Sequence, residues 1–158
     1  MVQCSPSRAY QNLFLTVPQR CGTTKEILIR WIRAWRQDFT FMGVVLEPYA
    51  KPKAGYTHHF HVGLCFPQRV RIGKLIRACK KSEPFKGMNC CVPLVTKGAT
   101  CHQIFTKYFT NPSKYKVLDE NPTLVIKHDP MQHWRDIQKF FASNNLGQPA
   151  GFTNEERS

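Results

Sequence analysis

Two histidines in one short stretch have the residue type and spacing that metal chemistry requires. His59 and His61 lie in YTHHFHVGLCF, residues 56–66, whose flanking alternation is typical of a β-strand. Alternate residues of a strand share a face, so these two imidazoles point the same way and His58 does not. Such a pair could bind a metal ion. It could equally consist of surface histidines at a hairpin, or of hydrogen-bonded core histidines.

Glu47 could supply a third ligand. It ends the apolar segment TFMGVVLE, residues 40–47, and a turn rich in Pro, Gly and Lys separates it from the histidines. We expect the two segments to pair as a hairpin, in which cross-strand Cβ atoms approach within about 5 Å. Two imidazoles and a carboxylate suit Mn²⁺ or Mg²⁺, and zinc is chemically possible. The HExxH signature of zinc proteases is absent.

Tyr108 is a candidate nucleophile. It lies in the basic aromatic stretch FTKYFTNPSKYK, on a segment that we expect to be helical. Tyr115 is a second candidate, beyond the helix-ending Pro112. A tyrosine in this position is commonly a partly buried helix residue, so structural and catalytic roles both stay open. A phenol has a reference pKa of about 10, so it needs activation to act as a nucleophile.

The composition favours a polyanionic partner. The 158 residues include 23 Lys and Arg against 10 Asp and Glu, a net charge of +13, which favours nucleic acid over an anionic membrane. The same charge also fits a soluble basic protein that has no polyanionic partner. We find no apolar run of about 18 residues and no signal-peptide core at the start. Seven cysteines without a CxxC pair predict reduced thiols in a cytosolic or nuclear protein.

The apolar patterns predict the order β-α-β-β-α-β followed by two more helices. This order indicates an α+β fold with a ferredoxin- or RRM-like antiparallel sheet, helices on one face and the other face open. We predict strands at 12–17, 40–47, 57–66 and 90–96, helices at 21–37, 71–81, 99–111 and 131–145, and an irregular segment at 113–130.

The first of these helices has a recognisable start and an apolar face. Thr23 with Glu26 three positions later matches a capping box. Ile27, Trp31 and Trp35 recur at helical spacing, so we expect them to face the core.

Three motifs occur together in the order and rough spacing of the HUH-endonuclease motifs. They are FLTVPQ at 14–19, HHFHVGL at 58–64 and KYFTNPSK at 107–114. They resemble those of the replication-initiator (Rep) proteins of circular single-stranded DNA viruses, of geminivirus or circovirus type. The resemblance covers roughly residues 10–115.

The resemblance implies a function for residues 1–145: metal-dependent nicking and rejoining of single-stranded DNA at a viral origin. Glu47, His59 and His61 would hold Mn²⁺ or Mg²⁺. Tyr108 would form a 5′-phosphotyrosine and release a 3′-hydroxyl that primes rolling-circle replication. The family has a lysine three residues after this tyrosine, where this chain has Asn111. Either Lys114 from the following loop or Asn111 itself would then assist.

The resemblance also implies partners and a location. The substrate would be an origin stem-loop, a helicase domain would follow in the full-length protein, and the isolated domain would be a monomer. The protein would act in the host nucleus, with residues 146–158 as a polar tail or linker. We expect the DNA to cross the open face of the sheet. Its candidate contacts are Thr16, Gln19, Arg20, Lys51, Lys53 and Lys97.

Two other functions remain open on the sequence. An RRM-like nucleic-acid-binding module without chemistry would stack bases on Phe41 and Phe60, the aromatic residues of the central strands. A zinc-stabilised structural domain would need a fourth ligand, and the sequence offers no clear one.

Overall fold

The computed structural model describes residues 2–53, 56–93, 99–110, 123–126, 130–143 and 153–154. Within these ranges seven strands and four helices occur, together with a 3-10 turn at Glu83–Phe85. The strands are β1 (Val2–Gln3), β2 (Ala9–Pro18), β3 (Phe41–Lys53), β4 (Tyr56–Arg71), β5 (Asn89–Val92), β6 (Thr123–Ile126) and β7 (Thr153–Asn154). The helices are α1 (Lys25–Trp35), α2 (Gly73–Lys81), α3 (Cys101–Thr110) and α4 (Pro130–Ser143). None of the described helices is both long and apolar enough to cross a membrane.

All of the described strands join one sheet in the order β1-β5-β2-β4-β3-β6-β7. Each pairing is antiparallel except that of β7, which runs parallel to β6. The predicted α+β class with an antiparallel sheet is therefore confirmed. β6 corrects the prediction of an irregular segment at 113–130, because Thr123–Ile126 pairs with β3. The sequence TLVI is at the lower length limit for recognising a strand and shows no alternation of apolar and polar residues.

The two faces of the sheet carry different helices. On one face, which we call the α1–α2 face, Leu15, Val44 and Val62 belong to a buried cluster with residues of α1 and α2. On the opposite face, the α3 face, Phe14 and Phe41 belong to a second cluster with residues of α3. The expectation of helices on one face and an open second face was wrong. α3 covers the middle of that face, and α4 contacts α3 in turn.

The start of α1 differs from the predicted capping box. Thr24 is the N-cap, and its hydroxyl accepts a hydrogen bond from Ile27 N at 3.2 Å. The Thr23 hydroxyl instead donates to the Arg20 carbonyl at 2.7 Å. The buried face of the helix also differs from the prediction, which placed Ile27 in the core. Ile27 is 44% exposed, whereas Leu28 is fully buried.

The tryptophans of α1 pack at the edge of the core, as expected for structural residues. Trp31 stacks on Phe85 with ring centroids 4.2 Å apart, and Trp35 meets Phe66 edge-on at 5.9 Å. Both tryptophans are partly buried against the cluster of the α1–α2 face.

Two paired glycines bring α3 close to the sheet. Gly43 of β3 and Gly63 of β4 are register partners on the α3 face. A Cβ on Gly63 would lie 2.7 Å from the Phe105 ring, and one on Gly43 would lie 2.5 Å from the Phe109 ring. Real Cβ contacts are longer than this, so any side chain at either position would push the ring outward. The glycine pair therefore sets the height of α3 above the sheet.

We expect Gly63→Ala to lower the free energy of unfolding by about 1–3 kcal/mol, the usual cost of overpacking a core. The reason is the overlap of the new methyl group with the Phe105 ring. Urea unfolding of Gly63→Ala, Phe105→Leu and the double variant measures this. Because leucine leaves room for the methyl group, the double variant should lose less stability than the sum of the single losses. Strictly additive losses would show that the two positions do not compete for space.

Candidate metal centre

Three potential ligand atoms converge at one end of the α3 face. The register places Glu47 of β3 directly opposite His59 of β4, and His61 follows two residues later on the same face. Glu47 Oε2 lies 3.5 Å from His59 Nε2 and 3.3 Å from His61 Nε2. The two Nε2 atoms are 2.7 Å apart. We call these three residues the Glu-His-His cluster.

His58 does not belong to the cluster, as the strand alternation predicted. Its Nδ1 lies 2.9 Å from the hydroxyl of Thr57, and it is partly exposed. Among the described residues, the Glu-His-His cluster is the only group of three or more His, Cys, Asp or Glu side chains whose ligand atoms meet.

The chemistry of the cluster fits a divalent cation. Glu47 Oε1 is buried and has no hydrogen-bond partner among the described residues. A buried carboxylate oxygen without a partner is costly, and a cation beside it would remove that cost. Burial lowers the pKa of His59 below its ordinary value. The charge of His61 lowers it further, and Glu47 offsets part of the effect. His59 is therefore neutral at pH 7, which is the form that binds metals.

Thr16 fixes the orientation of His61. β2 pairs with β4 so that Thr16 is the register partner of His61, and its Oγ1 lies 3.2 Å from His61 Nδ1. A proton on Nδ1 that is donated to this hydroxyl leaves the lone pair on Nε2, which faces Glu47. Thr16 was predicted to contact DNA. That contact stays a prediction, whereas the contact with His61 was not predicted, because it needs the β2–β4 register to be seen.

Tyr108 lies next to the cluster, although it is remote in sequence. It occupies the last turns of α3, and its ring meets the His61 ring edge-on with centroids 5.6 Å apart. The same ring is perpendicular to Phe14 at 5.3 Å. The height of α3 above the sheet therefore also sets the distance from the phenol ring to His61.

Tyr49 is a second tyrosine at the cluster, and the sequence analysis missed it. Its ring centroid lies 4.3 Å from that of His59. The signal was present in the sequence, because Tyr49 follows Glu47 by two residues and so shares its face of the strand. Two phenol rings thus flank the cluster, with Tyr108 beside His61 and Tyr49 beside His59.

The other predicted DNA contacts are distributed away from the cluster or outside the described residues. The Gln19 amide donates to the Thr23 carbonyl at 2.9 Å, and Arg20 lies 4.0 Å from Glu83, so both already have partners within the protein. Lys51 is exposed near the end of β3. The side chain of Lys53, and the whole of Lys97, Lys114 and Tyr115, lie outside the described residues.

The cysteines take no part in the centre. All seven are free thiols in the structure. Burial raises the pKa of Cys65 well above its ordinary value and also raises that of Cys79. Such thiols stay protonated at neutral pH and act as core residues rather than nucleophiles.

Comparison with protein-family models, with curated proteins and with solved structures finds no match to this chain.

We expect the protein to bind Mn²⁺ through the Glu-His-His cluster and to be stabilised by it. At a Mn²⁺ concentration of 100 times the dissociation constant, the gain in unfolding free energy should be about 2.7 kcal/mol. Isothermal titration and urea unfolding with Mn²⁺ or EDTA measure the two effects. Glu47→Gln and His61→Ala should lose both, whereas the neighbouring control His58→Ala should keep both. Equal Mn²⁺ affinity in the wild type and Glu47→Gln would refute a metal site here.

The Thr16 hydroxyl should matter for metal affinity. Loss of a hydrogen-bond partner of a metal-bound histidine typically costs about 10–100-fold in affinity, and we expect Thr16→Val to fall in this range. Thr16→Ser keeps the hydroxyl and is the matched control. Titration with Mn²⁺ compares the three proteins, and a Thr16→Val affinity equal to that of Thr16→Ser would show that the hydroxyl does not position His61.

Proposed function

We propose that this protein is a metal-dependent endonuclease and strand transferase that acts on single-stranded DNA, with Tyr108 as its nucleophile. The substrate would be the stem-loop of a replication origin, as in the Rep proteins that the three motifs resemble. The observation that supports this most strongly is the position of Tyr108. Tyr108 follows His61 by 47 residues in the sequence, yet the centroids of the two rings are 5.6 Å apart.

In the proposed reaction the Tyr108 oxygen attacks the phosphorus of a phosphodiester. A bond forms between that oxygen and phosphorus, and the bond to the 3′ oxygen breaks. The phenol loses its proton, and the departing 3′ oxygen gains one to become a hydroxyl. The product is a 5′-phosphotyrosine, which retains a phosphodiester, so the same hydroxyl can reverse the step and rejoin the strand.

The residues around Tyr108 have separate tasks in this proposal. Phe14 and His61 contact the ring of Tyr108 and hold it in place, while Thr16 holds His61. Glu47, His59 and His61 would hold Mn²⁺ or Mg²⁺, with zinc as a chemically possible substitute. The bound ion would polarise a phosphoryl oxygen and offset its developing charge. The net charge of +13 favours a polyanionic substrate.

We further propose that the core of the sheet is ferredoxin-like. Support comes from the four strands β5-β2-β4-β3, which are all antiparallel and are connected in the chain as β2-α1-β3-β4-α2-β5. The split β-α-β arrangement has this connectivity.

The binding-module alternative has less support. It requires exposed aromatic residues on the central strands to stack bases. Phe41 is fully buried with residues of α3, and Phe60 is fully buried in the cluster of the α1–α2 face. A closed zinc site is also disfavoured, because among the described residues only three ligands meet.

We expect wild-type protein to form a denaturant-resistant adduct with a fluorescent pool of stem-loop oligonucleotides in Mn²⁺ and none in EDTA. A denaturing gel detects the adduct as a shifted band. Tyr108→Phe should abolish the band, because phenylalanine keeps the ring contacts and lacks the nucleophilic oxygen. Tyr49→Phe is the matched control at the other side of the cluster, and it should retain the band.

Three results would contradict parts of this proposal. An adduct that survives in Tyr108→Phe and disappears in Tyr49→Phe would move the nucleophile to β3. An adduct that survives in both variants would move it elsewhere, and peptide mapping would locate it, with Tyr115 as the first candidate. Adduct formation that is equal in EDTA would exclude a metal-dependent mechanism.

A further inference from the structure

A basic pocket lies at the other end of α3 from the Glu-His-His cluster. It has a volume of about 440 Å³, within the range of small-ligand sites, and it is open to solvent. Residues of β2, the end of β4, the end of β5 and the start of α3 line it. They include Arg8, Gln11, Asn12, Arg69, Pro93 and Cys101. We call it the Arg8–Arg69 pocket.

An irregularity in the sheet forms one wall of the pocket. Asn12 pairs with Cys65 and Tyr10 pairs with Val70, so residues 66–69 of β4 stand against the single residue Gln11 of β2. The Gln11 amide donates to the Pro67 carbonyl at 3.4 Å across this irregularity. Extra residues in one strand bend it and redirect its side chains, and they are common next to functional sites. Here they bring Arg69 into the same pocket as Arg8.

The second wall exists because β5 is short. β5 ends at Val92, opposite the middle of β2, and its pairing with β2 covers only Phe14–Thr16. Residues 9–12 of β2 therefore have no partner strand on that side among the described residues. Backbone N–H groups along such an edge are free to donate to a ligand.

The pocket is positively charged, and its two arginine side chains can contact a ligand. None of the described residues that line it is acidic. Among the described residues, no side-chain hydrogen bond or ion pair involves the guanidinium of Arg8 or Arg69, and both residues are exposed. Gln11 and Asn12 add amide groups. Two guanidiniums with amides beside them suit phosphate oxygens, which accept paired hydrogen bonds from arginine. Phosphate binding by these groups does not require the first turn of α3. The backbone N–H groups of Thr100 and Gln103 each already donate to the other residue's side chain.

We propose that the Arg8–Arg69 pocket binds backbone phosphates of the same single DNA strand whose scissile phosphate lies at the Glu-His-His cluster. This rests on the proposed function for the identity of the strand. β2 carries both places: Asn12 lines the pocket and Thr16 contacts His61. Four residues of strand separate them, which is about 13 Å at 3.3 Å per residue. A strand of a few nucleotides spans this distance. The pocket anchors the strand at a fixed distance from Tyr108.

The test is the binding of fluorescent oligo-dT to Tyr108→Phe protein, followed by anisotropy over a series of salt concentrations. We expect Arg8→Ala/Arg69→Ala in this background to weaken binding about tenfold at low salt, the scale of charge-assisted hydrogen bonds. The slope of log affinity against log salt should fall by about 1.4, or about 0.7 for each lost phosphate contact. Lys74→Ala/Lys80→Ala is the matched control, because it removes two exposed charges from α2, which packs on the opposite face.

The two double variants must differ for the proposal to hold. A larger affinity loss and a smaller salt slope for the arginine variant, with the lysine variant close to the parent, would support it. Equal effects of both variants would overturn it, since net charge alone would then explain binding. No effect of the arginine variant would overturn it as well. Binding is measured without cleavage, so a wild-type protein that forms no adduct would refute the proposed nicking activity and leave this result standing.

Discussion

The close approach of α3 to the sheet is the constraint on which the candidate centre depends. Gly43 and Gly63 leave a gap in the α3 face, and the rings of Phe105 and Phe109 fill it. If either glycine carried a side chain, α3 would have to rise or tilt, and Tyr108 would move with it. Cores are packed too densely to absorb such a change without displacement. The position of the Tyr108 phenol therefore depends on glycine at positions 43 and 63, both of which lie outside the Glu-His-His cluster.

The cluster itself depends on strand register. β4 is the shared strand: it pairs with β3 to place Glu47 opposite His59, and with β2 to place Thr16 opposite His61. A slip of one residue in either pairing would send these side chains to the α1–α2 face. The apolar residues that alternate with them, such as Val62 and Val44, are buried on that face. The burial of these apolar residues stabilises the fold. It also stabilises the strand register that brings the three polar side chains of the cluster together.

Much of this centre could be predicted from the sequence because it obeys short-range rules. The period of two in β4 predicts that His59 and His61 share a face, and the short connection predicts that Glu47 pairs nearby. The position of α3 could not be predicted in this way. Its apolar face shows that it is buried and does not show which surface it covers, so the α3 face was expected to be open. The role of Thr16 and the Arg8–Arg69 pocket were missed for a related reason. Both depend on pairing between strands that are distant in the chain, and the irregularity opposite Gln11 breaks the alternation on which such predictions rely.

β4 is continuous from Tyr56 to Arg71, with the two histidines near its start and Arg69 near its end. The span between the Glu-His-His cluster and the pocket is therefore set by the paired central strands β2 and β4 and not by any loop. Changes in the connection between β3 and β4, at residues 54–55, leave that span untouched. A protein engineer can therefore exchange the sequence at 54–55 without moving the cluster relative to the pocket.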